Sequence, residues 1–181
     1  MDDRPVLETV QSDDLSDADA HDCECLVRGA FGDRFEPHDW THALGGVHLI
    51  VRDDGHPVGH AAVVPRLLSH EGKEFDGAYV EGVALDHAHR GHGLGAMLMD
   101  AVEKEISSTD ALGVLNSLPD TVEFYADRGW VRWRGLLGDM GNLEDPAPPD
   151  DEVEAIMVFR PSENIDVDGT LCVNNRVGPR W

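Results

Sequence analysis

The chain has 181 residues, 36 of them acidic and 14 basic, for a formal net charge of −22 at pH 7 with histidine neutral. That length suits one domain over 1–181 with a full hydrophobic core. A surface this acidic repels nucleic-acid phosphates and anionic lipid, so neither nucleic acid nor a membrane is expected as a partner.

Only two of the basic residues are lysines, Lys73 and Lys104. Acid excess with 41% hydrophobic residues reads as a folded protein adapted to high salt, where the screening length shrinks to roughly 3 Å at 1 M. Attraction of cationic substrates is a compatible reading. The opening Met1-Asp2-Asp3-Arg4 has no apolar signal core and no segment approaches a membrane span, so the expected compartment is the cytoplasm. Cys23, Cys25 and Cys172 form neither an even disulfide set nor a zinc ladder. They read as idle thiols, and no metal is expected. His38 and His42 are four apart but have no third ligand beside them.

In chain order, Val6–Val10 reads as a strand. Ser12-Asp13-Asp14 offers a helix start, with Leu15, Ala18, Cys23, Leu26, Val27 and Ala30 giving an apolar face that ends near Gly29 or Gly32. Pro37-His38-Asp39-Trp40 opens a second, short helix. Two hairpin-like strands follow, 48–52 and 57–68, joined by Asp53-Asp54-Gly55-His56. Glu71-Gly72 turns into a long strand over 74–85. A helix after residue 93 carries Leu94, Met97, Leu98, Ala101, Val102 and Ile106 at helical spacing. Then come a short buried strand at 112–116, a short helix at 121–127 closed by Gly129, and strands at 130–134 and 153–159. The stretch 138–152, with Pro146, Pro148 and Pro149, reads as an exposed loop. The order implies a mixed α/β sheet with helices on both sides rather than a doubly wound fold.

The most informative positions are Arg90, Gly91, His92, Gly93, Leu94 and Gly95. A glycine-rich turn between strand and helix lets backbone N–H groups converge on an anion at the positive helix end. The pattern lacks a terminal Gly-Lys-Ser/Thr, so it is not the nucleotide triphosphate loop. His87, His89, Arg90 and His92 make this the most cation-capable stretch of an acidic chain. The plainer alternative is a tight structural turn.

Two further residues carry possible chemistry. Glu81 lies in an apolar strand beside Gly82, where a bulge or close backbone approach is expected. Its carboxylate could take a proton from an attacking amine, directly or through water; the alternative is a solvent-facing residue on an alternating strand. The Val83 N–H could polarise a carbonyl under attack. Tyr125, on the short helix, could donate a proton or a hydrogen bond to a departing group. Position alone favours an ordinary core tyrosine.

Arg90-x-x-Gly93-x-Gly95 after a strand, with Tyr125 ahead of Gly129-Trp130, resembles the GCN5-related N-acetyltransferase superfamily. The resemblance extends over nearly the whole chain to the aminoglycoside 2'-N-acetyltransferases. It runs through Gly29-Ala30-Phe31, Asp39-Trp40, 44–48, 60–64, 79–84, 100–103, Leu112-Gly113, 128–130, 149–151 and Trp181. It implies a mixed, mostly antiparallel central sheet flanked by helices, an α+β fold. It implies acetyl-CoA as cosubstrate and a small-molecule amine acceptor, most closely the 2'-amine of an aminoglycoside or related amino sugar. A homodimer is also implied, and resistance and housekeeping enzymes share this pattern.

By the same resemblance, Val83, Ala84 and Leu85 pair with the pantetheine arm, and residues 90–95 hold the pyrophosphate. Glu81 acts on the acceptor amine through water, Tyr125 is the general acid, and the Trp181 carboxylate helps to bind the acceptor. Asp33, Asp39, Gly82, Asn116, Asp150 and Asp151 match acceptor-side positions, Asp33 with a one-residue shift. Two positions depart from the family: Arg34 and Pro179 stand where it has aspartates. Other amine acceptors, and a non-catalytic acyl-CoA-binding module, are the alternative functions.

Overall fold

A computed structural model describes residues 4–147, 155–159, 165–177 and 181. In chain order the elements are β1 (Val6–Gln11), α1 (Asp17–Phe31), α2 (Pro37–Ala43), β2 (Val47–Asp53), β3 (His56–His70), β4 (Lys73–Leu85) and α3 (Leu94–Ser107). They continue with β5 (Leu112–Asn116), α4 (Val122–Asp127), β6 (Trp130–Arg132), β7 (Leu137–Asp139), β8 (Asn142–Ala147), β9 (Ile156–Phe159) and β10 (Leu171–Val173). The strand pairing is mostly antiparallel; β4–β5 and β7–β10 are the parallel ladders among the described residues. This is the expected mixed α+β class. The chain clusters into two units, residues 1–64 with 80–108 and residues 65–79 with 109–181.

In the first unit the order is β1-β2-β3-β4. β2 pairs with β3 through a turn whose Asp54 and Gly55 both have positive φ. A glycine after an aspartate is suited to that tight reversal. α1 starts at Ser16, whose Oγ accepts the Asp19 N–H at 3.1 Å, and stops at Gly32, φ +59. It presents Cys23 and Val27 to Ile50, Ala62 and Ala84 of the sheet, with Trp40 and Ala43 of α2 completing the cluster. Arg52 joins β1, β2 and α1 by bonding Glu8 at 2.6 Å and Asp19 at 2.7 Å. By the two-residue alternation of a strand, Leu49 and Val51 point away from this cluster. α3 packs against β2 and buries Leu94, Leu98, Met99, Val102 and Ile106. Each such side chain contributes ~1.5–3 kcal/mol of hydrophobic stabilisation.

In the second unit the order is β6-β9-β5-β4-β3-β10-β7-β8. Its core gathers Leu68, Tyr79, Val114, Trp133, Ile156, Val158 and Leu171, with Trp181 packed on the margin.

Three expectations are corrected. The helix predicted to start at Ser12-Asp13-Asp14 starts at Asp17 instead; residues Ser12–Asp14 form a 3-10 turn. The loop predicted over 138–152 contains strand β8 over Asn142–Ala147, paired with β7. Pro146 is tolerated there because β8 ends the strand order, and an edge strand can spare a donor. The apolar face of α1 uses Ala20 rather than Ala18.

Candidate active site

The strand that carries the expected chemistry is irregular where that chemistry is expected. β4 pairs with β5 over Gly77↔Leu112, Ala78↔Gly113 and Tyr79↔Val114. The ladder ends there, and β4 continues for six more residues to Leu85. Within that extension Gly82 takes φ +58, a left-handed value that interrupts the strand's pleat. Gly82 and Ala84 are buried, while Glu81, Val83 and Leu85 are half-buried. The Glu81 carboxylate and the Val83 N–H therefore flank the one left-handed residue of this strand.

A short turn leads from β4 to α3. Asp86 begins it: its Oδ1 accepts the Ala88 N–H at 2.8 Å and His89 Nδ1–H at 2.9 Å. His89 Nε2 lies 3.1 Å from Asp53 Oδ2 at the end of β2, so the imidazole bridges two carboxylates. Both bonds favour the imidazolium, Asp86 more strongly, and the His89 pKa is raised. Arg90 Nε donates to the Leu85 carbonyl at 3.3 Å. Gly91 (φ +79) and Gly93 (φ +81) are both left-handed, and a Cβ at either, or at Gly95, would meet nothing within 4 Å. α3 begins at Leu94 with no acidic residue in its first turn. Its first N–H groups lack intrahelical partners by geometry and carry the positive end of the helix dipole. A glycine turn that exposes a helix N-terminus is a geometry that can receive an anion.

The remaining expected residues are placed as follows. Asp33 is exposed in the 3-10 turn Gly32–Arg34. Asp39 sits in the first turn of α2, where Oδ2 accepts the Glu36 N–H at 2.8 Å. In the second unit, Asn116 is exposed at the end of β5, and its Oδ1 accepts the Ala155 N–H at 3.4 Å. Tyr125 is buried in α4, with its ring edge-on to Phe124 and Trp130 at 5.2 and 6.0 Å. Burial pushes its phenol up to about 12, so it stays a neutral donor across the physiological range. Trp181 is half-buried against the second core. Asp150, Asp151 and Pro179 lie outside the described residues.

Two residues not singled out by their sequence context are buried beside Gly82. His60 Nδ1 lies 2.8 Å from the Gly82 carbonyl oxygen, and His60 Nε2 lies 2.9 Å from His48 Nδ1. Burial depresses the His60 pKa to about 4 and lowers that of His48 as well. The available sequence signal was two histidines inside otherwise apolar strands, offset diagonally across a hairpin. The register pairs His48 with Ala62 and Ile50 with His60.

The Acetyltransferase (GNAT) family model matches residues 15–130. The chain belongs to that family and is an N-acetyltransferase by class. Over 177 residues it is 36% identical to an aminoglycoside 2'-N-acetyltransferase of Mycolicibacterium fortuitum, covering 95% of this chain and 90% of that protein. Among solved structures, the GNAT family N-acetyltransferase YhbS of Escherichia coli, in complex with CoA, aligns with a TM-score of 0.66 at 20% identity. The alignment covers 97% of this chain and 94% of that one. Escherichia coli ElaA aligns with a TM-score of 0.62 at 17% identity, over 86% and 99% of the respective chains. These two establish likeness of fold.

Proposed function

We propose that the chain transfers acetyl from acetyl-CoA to the 2'-amine of an aminoglycoside or a related amino sugar. The observation that carries the donor half is the acid-free glycine turn: left-handed Gly91 and Gly93 deliver the N-terminus of α3 next to Arg90. The pyrophosphate of CoA suits that turn at 90–95, and a pantetheine arm suits the edge of β4 at Val83, Ala84 and Leu85, beyond the end of the β4–β5 ladder. The likeness to the Mycolicibacterium fortuitum enzyme supports the acceptor, and a net charge of −22 favours a polycation.

The neutral amine attacks the thioester carbonyl, the C–S bond breaks and an amide forms. Glu81 takes the amine's proton through water, the Val83 N–H polarises the carbonyl, and Tyr125 protonates the departing thiolate. The Trp181 carboxylate, Asp33, Asp39, Gly82, Asn116, Asp150 and Asp151 serve the acceptor. The enzyme is a single-domain cytoplasmic homodimer adapted to high salt.

The test is acetyl-CoA consumption, followed by thioester absorbance, with tobramycin, gentamicin and kanamycin at low and multimolar KCl. The expected result is acceptor-dependent turnover and a 2'-acetylated product. Glu81→Gln is expected to lower kcat by roughly 100-fold or more with acetyl-CoA binding retained. No turnover by folded protein that binds CoA would overturn the acceptor assignment, and full turnover by Glu81→Gln would remove Glu81 from the mechanism.

A further inference from the structure

A hydrogen-bonded chain crosses the first unit on the side covered by α1 and α2 and ends at the irregular residue of β4. It starts at Ser12, whose Oγ accepts the N–H groups of Gly45 at 2.9 Å and Gly46 at 3.1 Å. Ser12 Oγ lies 2.8 Å from His48 Nε2. The chain then runs from His48 Nδ1 to His60 Nε2 and from His60 Nδ1 to the Gly82 carbonyl. Trp40 covers both imidazoles, at ring-centroid distances of 5.9 and 5.5 Å. His48 and His60 are fully buried.

The direction of every link follows from counting donors, and the count closes from either end. A carbonyl oxygen can only accept, so His60 Nδ1 carries the proton and donates to Gly82. A neutral imidazole then has an accepting Nε2, so His48 Nδ1 must donate to it. His48 Nε2 is left as an acceptor, and only the Ser12 hydroxyl can supply its proton. From the other end, two N–H groups already occupy the two lone pairs of Ser12 Oγ, which forces its O–H outward onto His48. Both histidines are therefore neutral Nδ1–H tautomers. An extra proton on His60 Nε2 would face the His48 Nδ1–H, and one on His48 Nε2 would face the Ser12 O–H, whose oxygen has no lone pair to spare. Because the last acceptor is a carbonyl, the chain conducts no proton to the strand; it fixes a direction.

What it fixes is Gly82. The His60 ring touches the α-carbon side of this glycine as well as its carbonyl: a Cβ there would lie 3.4 Å from His60 Nδ1 and Cε1 and 3.5 Å from Val27. A residue at φ +58 with its carbonyl held inward cannot rotate its two peptide planes freely. Those planes carry the Glu81 carbonyl and the Val83 N–H.

We propose that His60, backed by His48 and Ser12, is a positioning residue of this acetyltransferase. It holds the Gly82 carbonyl toward the helices and so aims Glu81 and the Val83 N–H to the other side of the strand. The inference rests on the roles given to Glu81 and Val83 above. It predicts a split that a purely structural histidine would not show. His60→Asn places an amide N–H where Nδ1–H stood and keeps the bond to Gly82. His60→Gln instead reaches the Nε2 position and serves His48.

The experiment compares kcat, the two KM values and thermal stability of wild type, His60→Asn, His60→Gln and Ser12→Ala, with 15N imidazole spectra of wild type and Ser12→Ala. The expected result is near-wild-type kcat for His60→Asn and a loss of roughly 10- to 100-fold for His60→Gln at similar Tm and unchanged KM. Both wild-type imidazoles are expected as Nδ1–H tautomers; in Ser12→Ala the Gly82 carbonyl still holds His60 in that form, and the 15N resonance of His48 Nε2 shifts because that nitrogen loses its hydroxyl donor. Equal kcat in the two His60 variants, activity that merely follows Tm, or an Nε2–H tautomer at His60 would overturn the proposal. If the His60 variants fail to fold, an unchanged kcat together with an unchanged His48 Nε2 resonance in Ser12→Ala would overturn it as well. The tautomers are read without substrate, so absence of turnover with any aminoglycoside counts against the acceptor assignment and leaves the positioning chain to be judged on its spectra.

Discussion

Lowering the pH from 8 to 5 should destabilise the protein through His60. In the unfolded chain this imidazole takes a proton near 6.5, whereas its buried position depresses the folded value to about 4. Between those two values the unfolded state binds more protons, so acid pulls the equilibrium toward unfolding. The His60 contribution is fully present above pH 6.5 and is lost as the pH falls toward 4. By pH 5 the loss is about 2 kcal/mol, or roughly 4–8 °C in Tm for a chain of this size.

The assay is thermal unfolding of wild type and His60→Asn at matched pH and salt, held at or above pH 5 because the sequence pI is about 4.5. Comparison with the non-titrating variant removes the carboxylates from the difference. It also removes His89, whose raised pKa has the opposite sign: its contribution is present below 6.5 and lost as the pH rises. The Tm gap between the two proteins should close by several degrees from pH 8 to pH 5. A constant gap would refute the assignment of a neutral, proton-refusing His60.

Two glycines predict opposite outcomes for the same substitution. Gly46→Ala would overlap the Val63 carbonyl oxygen and bring its Cβ within 2.8 Å of Val64 Cα, backbone that cannot yield. A loss of about 3 kcal/mol or more by chemical denaturation is expected. Gly29→Ala lies inside α1 with nothing within 4 Å and should stabilise by about 0.5–1 kcal/mol. The thiols should also divide. Cys25 is exposed, Cys23 is buried with its thiol pushed up to about 12, and burial raises Cys172 as well. One thiol should react rapidly with a disulfide reagent in the native protein and three after unfolding; rapid native reaction of Cys23 would contradict its burial.

The features legible in the sequence were those carried by neighbouring residues. Alternation and Asp54-Gly55 gave the β2–β3 hairpin, and glycines after an apolar strand gave the β4–α3 turn. What escaped was decided at a distance. Ser12 has the chemistry of a helix cap, but its oxygen is committed to Gly45, Gly46 and His48, so Ser16 takes the capping role. β10 is three residues whose strand identity comes from pairing with β3 and β7. Pro146 argued for a loop, yet an edge position admits it. At the candidate site the turn and Glu81 stood out by composition. His60 did not, because its significance lies in which carbonyl it meets.

The first turn of α3 is free of acidic side chains in a molecule that carries 22 negative charges net. Two reactants of opposite sign would meet that surface on unequal terms. A polycation approaches down the field and loses speed as salt rises; an anionic thioester must cross the same field and gains speed as salt screens it. The concentration of salt thus becomes a setting that trades one encounter rate against the other. Maximal turnover would lie where the two are balanced, not where either substrate alone binds best.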